Sequence, residues 1–173
     1  MLTLSLLRHA KSSWDNPELC DHERPLAKRG IKAAPLLAKF MRQEKLRPNL
    51  VLCSDAMRTR ATLTLLLSEL GPPPPEVVYD DALYLASPRA IRRVIAEAGA
   101  GHAHVLVVGH NPGLYALALE LAGDGDRKLL AHLAREFPTA ALAVYSLDAE
   151  SWKDMETARG HLEHFTTPRR LES

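Results

Sequence analysis

Basic side chains that can bind or attack a phosphoryl group follow several apolar runs of this sequence. Arg8 and His9 directly follow the first run, and His110 follows a later one. Arg58 lies a few residues after a third run, and Arg60 is expected to point away from it on a predicted helix. Guanidinium groups match phosphate oxygens with two parallel hydrogen bonds, and a neutral imidazole can act as a nucleophile. Two imidazoles and two guanidiniums at one place are therefore suited to binding a tetrahedral oxyanion.

The apolar runs predict the strands of a central sheet, and helical spacing or capping residues predict the elements between them. Strands are expected at residues 2–7, 50–53, 77–79, in the first half of 104–113, at 142–147 and at 161–165. Helices are expected at residues 27–44, from Ser54 or Asp55 to 70, at 87–98, from 113 to about 122 and at 126–136. Pro35 is expected to kink the first helix or to mark its start.

This alternation of strands and helices predicts an α/β fold, a three-layer α/β/α sandwich with a mostly parallel central sheet. Ligands of such open sheets bind beyond the carboxyl ends of the strands, where Arg8, His9 and His110 are predicted to lie. Each residue alone has an ordinary structural explanation, because an arginine at a strand end is usually a solvated charge and a single histidine is usually structural. Their predicted convergence favours a phosphate site.

Length, charge and cysteine content exclude several classes of protein. The 173 residues predict one domain spanning 1–173, and the net charge of +1 gives no general attraction to nucleic acids or anionic membranes. Cys20 and Cys53 are too few for a disulfide framework and are expected to be free thiols. No apolar run reaches the ~18 residues of a membrane span, and the N-terminus lacks the basic region of a signal peptide. A cytoplasmic location is therefore expected.

Two histidine pairs, His102 with His104 and His161 with His164, are candidates for metal ligands by their closeness in the sequence. Neither pair has the i, i+4 spacing of helical ligands, and neither has an evident carboxylate partner. Solvated histidines explain both pairs better, so neither a metal nor another cofactor is expected.

Three segments carry a resemblance to a known family. LLRHAKSSW and VVGHNPG together resemble the histidine phosphatase (phosphoglycerate mutase-like) superfamily, which has an Arg-His pair after the first strand and a second histidine after a later one. SDAMRTRAT is similar to that superfamily's Ser-x-x-x-Arg-x-x-x-Thr element. DHERPLAKRG is similar to a segment of the small bacterial phosphohistidine phosphatases of the SixA type. The resemblance implies the phosphoglycerate mutase-like form of the α/β/α fold.

The resemblance also implies roles for individual residues. His9 would be the nucleophile, and Arg8, Arg58 and His110 would form the phosphate pocket. Arg24, in the Arg-Pro-Leu segment, is implied as a further substrate-binding residue. The guanidiniums are expected to lower the pKa of His9, and a protonated His110 is expected to stabilise the phosphoryl oxygens.

The sequence departs from the family pattern in three respects. Ala10 stands where many members have glycine, so its backbone is expected to avoid a strongly positive φ. Asp15 stands where the mutases have a phosphate-binding asparagine, and its carboxylate must turn away from a bound phosphate. Larger members carry a catalytic glutamate in an inserted segment for which this chain leaves little room. Asp81 is the candidate for that acid and Asp80 the second, although both are equally typical of turn or N-cap residues.

Together these features predict a metal-independent phosphatase that hydrolyses phosphomonoester or phosphoramidate bonds through a phosphohistidine intermediate on His9. The expected substrate is a phosphorylated protein, such as a histidine phosphotransfer domain, or a small phosphorylated molecule. Two alternatives from other classes remain open: a phosphoglycerate mutase-like phosphotransferase, and a non-catalytic module that binds phosphate or a phosphoprotein.

Overall fold

A computed structural model describes residues 1–172, which form a seven-stranded sheet with helices on both faces. The strands are β1 (Thr3–Arg8), β2 (Leu50–Ser54), β3 (Glu76–Asp80), β4 (His104–Gly109), β5 (Ala122–Gly125), β6 (Leu142–Leu147) and β7 (Gly160–Thr166). The helices are α1 (Lys28–Gln43), α2 (Met57–Leu70), α3 (Pro88–Ala98), α4 (Gly113–Leu121), α5 (Arg127–Arg135) and α6 (Pro168–Glu172). Short 3-10 turns occupy Asp21–Glu23, Asp81–Leu83 and Trp152–Glu156.

The strand order across the sheet is β3-β2-β4-β1-β6-β7-β5. Parallel pairs join β3 to β2, β2 to β4, β4 to β1 and β7 to β5, whereas β6 runs antiparallel to β1 and β7. The predicted α/β fold with a mostly parallel sheet is therefore confirmed. Arg8 pairs with Gly109, so β1 and β4 end side by side at one edge of the sheet.

Two apolar layers explain why the central strands show little alternation between apolar and polar residues. Leu6 of β1 packs into the layer formed with α3 and α4, and Leu7 packs into the layer formed with α1 and α2. Both side chains are fully buried. Truncating such a leucine to alanine typically costs ~2–5 kcal/mol. The strand that ends at the polar pair Arg8-His9 is thus fixed from both faces.

Helix α1 passes through Pro35 without ending there, so this residue does not mark its start. Helix α2 begins at Met57 with Ala56 as its N-cap, so the prediction that Ser54 or Asp55 caps it was wrong. The hydroxyl of Ser54 lies within hydrogen-bonding distance of a histidine ring instead, as described below.

The predicted helix ending near residue 122 ends at Leu121, and the next four residues form the edge strand β5. Sequence analysis missed this strand because Ala-Gly-Asp-Gly has neither an apolar pattern nor β-branched residues. Helix α6 and the 3-10 turns were also not predicted.

Within residues 1–172, no helix is both long and apolar enough to cross a membrane. Cys20 is exposed and Cys53 is buried, and both are free thiols as predicted.

Candidate active site

The predicted phosphate-binding residues meet in a cavity of about 200 Å³ at the carboxyl edge of the sheet. It is lined by Arg8, His9, Lys11, Ser12, Trp14, Arg24, Arg58, Leu85, His110, Asn111 and Thr139. The lining contains four cationic side chains, and no described residue in it is acidic. The cavity therefore has the size and the charge for a phosphoryl group.

The backbone around the end of β1 holds His9 in one orientation. Its Nδ1 lies 2.7 Å from the Ala10 carbonyl oxygen. Because a carbonyl only accepts hydrogen bonds, Nδ1 carries the proton and Nε2 keeps its lone pair. The Ala10 N–H donates to Thr62 Oγ1 at 2.9 Å, and the Ala140 N–H donates to the His9 carbonyl at 2.9 Å. The positive-φ non-glycine residues among those described are Lys45, Leu85 and Ala140, so Ala10 avoids this region as expected.

The surroundings of His9 keep its imidazole neutral. Burial is the largest cause that lowers its pKa, to about 4; the hydrogen bond to the Ala10 carbonyl opposes this, and the positive charges of Arg58, Arg8 and Arg24 add to the lowering. The predicted direction is confirmed, although burial rather than the guanidiniums is the largest cause. At neutral pH the ring is therefore unprotonated at Nε2.

His110 lies against His9, with ring centroids 5.3 Å apart. Its Nε2 is 2.7 Å from Ser54 Oγ, and its buried Nδ1 has no hydrogen-bond partner within residues 1–172. Burial and the charge of Arg58 lower the pKa of His110 to about 3. In the free protein this ring is therefore neutral, whereas the sequence-based prediction of a protonated His110 concerns the site with a phosphoryl group bound.

Asp21 fixes two of the guanidiniums and was not identified from the sequence. Arg58 donates from Nη2 to Asp21 Oδ2 at 3.0 Å and from Nη1 to the Asp21 carbonyl at 2.7 Å. The same carboxylate accepts from the Tyr84 hydroxyl at 2.5 Å and from Arg24 Nε at 3.1 Å. The Tyr84 bond, followed by Arg58 and Arg24, lowers the pKa of Asp21 to about 2. Asp21 is therefore an ionised anchor for the arginines.

Arg24 is buried and is held in the cavity wall by four contacts, one of which is a bond from Nη1 to the Ser13 carbonyl at 3.3 Å. Besides its bond to Asp21, it donates from Nη1 to Ser12 Oγ at 2.6 Å. Its guanidinium carbon also lies 3.5 Å from the centroid of the Trp14 ring. Trp14 itself is 70% exposed at the rim of the cavity.

Three buried nitrogens on lining residues lack a hydrogen-bond partner among the described residues: Arg8 Nε, Arg58 Nε and His110 Nδ1. An unsatisfied buried donor costs about 1–3 kcal/mol, so folded proteins rarely keep several together without a reason. A tetrahedral oxyanion in the cavity offers enough acceptor oxygens for all three. These nitrogens are the features of the site that most directly indicate its ligand.

Several candidate residues lie elsewhere. Asp81 is exposed at the start of a 3-10 turn and is not among the residues that line the cavity. Asp80 caps that turn by accepting from the Ala82 N–H at 2.9 Å, so the N-cap interpretation holds for it. Asp15 is exposed and does not line the cavity. Arg60 lies over the Tyr79 ring, 4.1 Å from its centroid, and points away as predicted.

The histidines of the two sequence pairs have separate neighbours: Glu76 for His102, Ser5 for His104, Asp124 for His161 and the Phe40 ring for His164. Within residues 1–172, no group of three or more His, Cys, Asp or Glu side chains is arranged to hold a metal ion.

A sequence signal for Asp21 did exist. It lies three residues before Arg24 within DHERPLAKRG, one of the segments that carry the family resemblance. A carboxylate and a guanidinium at this spacing form an ion pair when the segment takes up a helical turn, as Asp21–Glu23 does here. Tyr84 gave no comparable signal, because its distance from Asp21 along the chain is 63 residues.

Comparison with known proteins agrees with this geometry. The family model for the histidine phosphatase superfamily (branch 1) matches residues 4–84. An uncharacterized protein of Mycobacterium tuberculosis (strain CDC 1551 / Oshkosh) is 36% identical over 165 residues, which cover 94% of this chain and 100% of that protein.

Two solved structures are similar over nearly their full length, and both are of proteins described as putative phosphohistidine phosphatase SixA. The one from Agrobacterium tumefaciens is 33% identical with a TM-score of 0.78, covering 96% of this chain and 98% of its own. The one from Nakamurella multipartitia is 30% identical with a TM-score of 0.80, covering 96% of each chain. The chain therefore belongs to the histidine phosphatase superfamily and is of the SixA type.

Proposed function

We propose that this phosphatase hydrolyses phosphohistidine on a protein substrate, with His9 as the nucleophile. The observation that carries the proposal is the composition of the cavity. It combines a neutral imidazole nitrogen with three unsatisfied donors, and none of its described lining residues is acidic. Such a site suits a substrate whose leaving group needs no proton from the enzyme.

In the first step, the lone pair on His9 Nε2 attacks phosphorus in line with the bond to the leaving nitrogen. The P–N bond of the substrate breaks, and its electron pair returns to the substrate imidazole. That ring already carries a proton on its other nitrogen near neutral pH, so it departs as neutral imidazole. His9 Nδ1 keeps its proton throughout, and with it the hydrogen bond to the Ala10 carbonyl.

The unsatisfied donors stabilise the phosphoryl oxygens during this transfer. Arg8 and Arg58 supply guanidinium N–H groups and positive charge. In the tautomer of His110 that carries its proton on Nδ1, the Ser54 hydroxyl donates to Nε2, and Nδ1–H is free to donate to a third oxygen. His110 thus acts as a neutral donor rather than as a cation.

In the second step, water hydrolyses the phosphorylated His9. The water oxygen bonds to phosphorus, and the P–Nε2 bond returns its electron pair to the imidazole. Both water protons leave with the inorganic phosphate. His9 is restored in its original neutral form, so no cofactor is consumed.

A serine phosphate would react more slowly at such a site. The serine alkoxide is a poor leaving group and needs a proton, and general acid catalysis is typically worth about 10²–10⁴-fold. Phosphohistidine does not need this help. We therefore expect kcat/KM for phosphohistidine to exceed that for phosphoserine by at least ~10²-fold.

A competition between phosphohistidine, phosphoserine and a sugar phosphate tests the proposal. Phosphate release is followed for each substrate alone and in mixtures. Preferential turnover of phosphohistidine is expected. Equal rates on all three substrates would contradict the proposal, and binding without turnover would point to a non-catalytic module.

A further inference from the structure

A second cavity of about 490 Å³ adjoins the phosphate cavity, and Lys11 and Thr139 line both. We call this space the basic cleft. It is bounded by Lys11, Arg29, Glu136, Thr139, Arg169 and Glu172, together with neighbouring apolar residues. A molecule whose phosphoryl group occupies the small cavity can therefore extend into the basic cleft without losing contact with the surface.

The basic cleft contains cations without counter-ions. Within residues 1–172, no ion pair or side-chain hydrogen bond engages Lys11, Arg29 or Arg169. Of the two carboxylates in the lining, Glu136 already lies 2.7 Å from His132 Nε2. The lining thus holds three cations and two carboxylates, Glu136 and Glu172, which leaves the basic cleft with a net excess of one positive charge beside the catalytic cavity.

Close packing fixes the backbone that carries these cations. The Lys11 carbonyl accepts from the Ala27 N–H at 2.9 Å. A Cβ atom at Gly30 would lie 2.2 Å from the same carbonyl oxygen, so glycine is required for this approach. Helix α6, which carries Arg169, packs against α1, which carries Arg29. The three charges therefore belong to one packed unit and not to separate loops.

The size of the phosphate cavity indicates what must lie in the basic cleft. About 200 Å³ accommodates a phosphoryl group and part of its leaving group, but not the rest of a protein substrate. Exposed apolar side chains at the rim, Trp14 at 70% and Leu85 at 53%, are suited to contact with a protein surface. Residues that flank the phosphohistidine must therefore pass over the adjoining surface.

We propose that the basic cleft binds an acidic segment of a phosphorylated protein, within a few residues of the phosphohistidine. This inference rests on the proposed function, because it describes how the same site selects its substrate. Unpaired cations attract carboxylates, increase the association rate and penalise basic partners. The basic cleft would thus discriminate between phosphohistidine proteins that present the same reacting group.

Two synthetic peptides with one phosphohistidine each test this inference. They are identical except that three flanking residues are glutamate in one and lysine in the other. We measure kcat/KM for each peptide at low salt, relative to free phosphohistidine. The wild-type protein is expected to prefer the acidic peptide by about 10-fold, since two or three exposed charge pairs each contribute a fraction of that factor.

Charge reversal supplies the decisive comparison. The double variant Arg29→Glu/Arg169→Glu is expected to prefer the lysine peptide. The control Arg127→Glu/Lys128→Glu makes the same change in net charge at two exposed positions of α5 that do not line the basic cleft, and it is expected to keep the wild-type preference. In the wild type, raising the salt from about 20 mM to about 500 mM should bring the ratio of kcat/KM for the glutamate peptide to that for the lysine peptide close to one.

This inference would be overturned, and the proposed function left intact, if the wild-type protein turns over free phosphohistidine but its kcat/KM values for the glutamate and lysine peptides differ by less than twofold. A preference that persists in Arg29→Glu/Arg169→Glu would also overturn it. Absence of turnover with free phosphohistidine would overturn both. If the double variant does not fold, a salt-independent preference in the wild type would still refute the inference.

Discussion

Arg58→Lys separates the shape of the guanidinium from its charge. Arg58 is 3% exposed, and its Nη1 and Nη2 both donate to Asp21, at 2.7 and 3.0 Å. Its Nε is one of the unsatisfied donors in the cavity wall. The single ammonium group of lysine cannot keep both bonds to Asp21 and also provide a donor at the position of Nε.

The expected loss follows from these contacts. Removing one preorganised donor from a transition state costs about 2.7–4 kcal/mol, and the retained positive charge recovers part of this. We therefore expect Arg58→Lys to lose about 2–4 kcal/mol of transition-state stabilisation, or ~30- to 1000-fold in kcat/KM. Losing one bond to the ionised Asp21 should in addition lower the free energy of unfolding by about 1.5–3 kcal/mol.

Arg60→Lys is the matched control, because it makes the same substitution two residues further along α2. Arg60 is exposed and donates from Nε to the Asp55 carbonyl at 2.9 Å. Its variant is expected to stay within twofold of the wild-type kcat/KM for phosphohistidine, measured by phosphate release. An Arg58→Lys protein that is folded and fully active would refute this account of the cavity, as would an equal loss in Arg60→Lys.

Three further predictions concern the neighbouring groups. Ser54→Ala removes the 2.7 Å contact to His110. It should lower kcat/KM by about 10-fold, which corresponds to the free energy of one buried hydrogen bond. An unchanged kcat/KM would contradict the role given to Ser54. Asp81→Asn should leave kcat/KM within twofold for phosphohistidine and phosphoserine alike, since Asp81 is exposed outside the cavity, and a large loss would identify it as the missing acid. The free energy of unfolding should fall as the pH drops from 6.5 towards 4. In this range the two histidines bind protons in the unfolded chain but stay neutral in the folded protein, where the pKa values of His9 and His110 are about 4 and 3. Urea titrations that give the same free energy of unfolding across this pH range would contradict those values.

The fold followed from the sequence because its signals were local and redundant. Leu6 and Leu7 sit in a strand buried on both faces, and such strands read as continuous apolar runs. Edge strand β5 lacks this signal, since its pairing with β7 rather than its own side chains determines its conformation. The N-cap of α2 was misassigned for a related reason. Ser54 is an ordinary capping residue by type, and only the tertiary structure brings its hydroxyl to His110.

The candidate site was partly predictable for the same reason. Arg8 ends β1, and His9 and His110 directly follow β1 and β4, so the topology of the sheet brings them together once the strands are known. Asp21 and Tyr84 lie in connecting segments, 63 residues apart, so no helix or strand periodicity in the sequence indicates that they are in contact. The charge state of His110 was also beyond the sequence, because it depends on burial that only the packed structure reveals.

Chemical trapping on His9 tests the central claim most directly. A reaction with ³²P-labelled phosphohistidine peptide, quenched within milliseconds, should leave label on the protein in an acid-labile and alkali-stable linkage. Peptide mapping should assign the label to His9, and His9→Ala should abolish both the label and the turnover. Normal turnover by His9→Ala, or label on a different residue, would contradict the proposed mechanism.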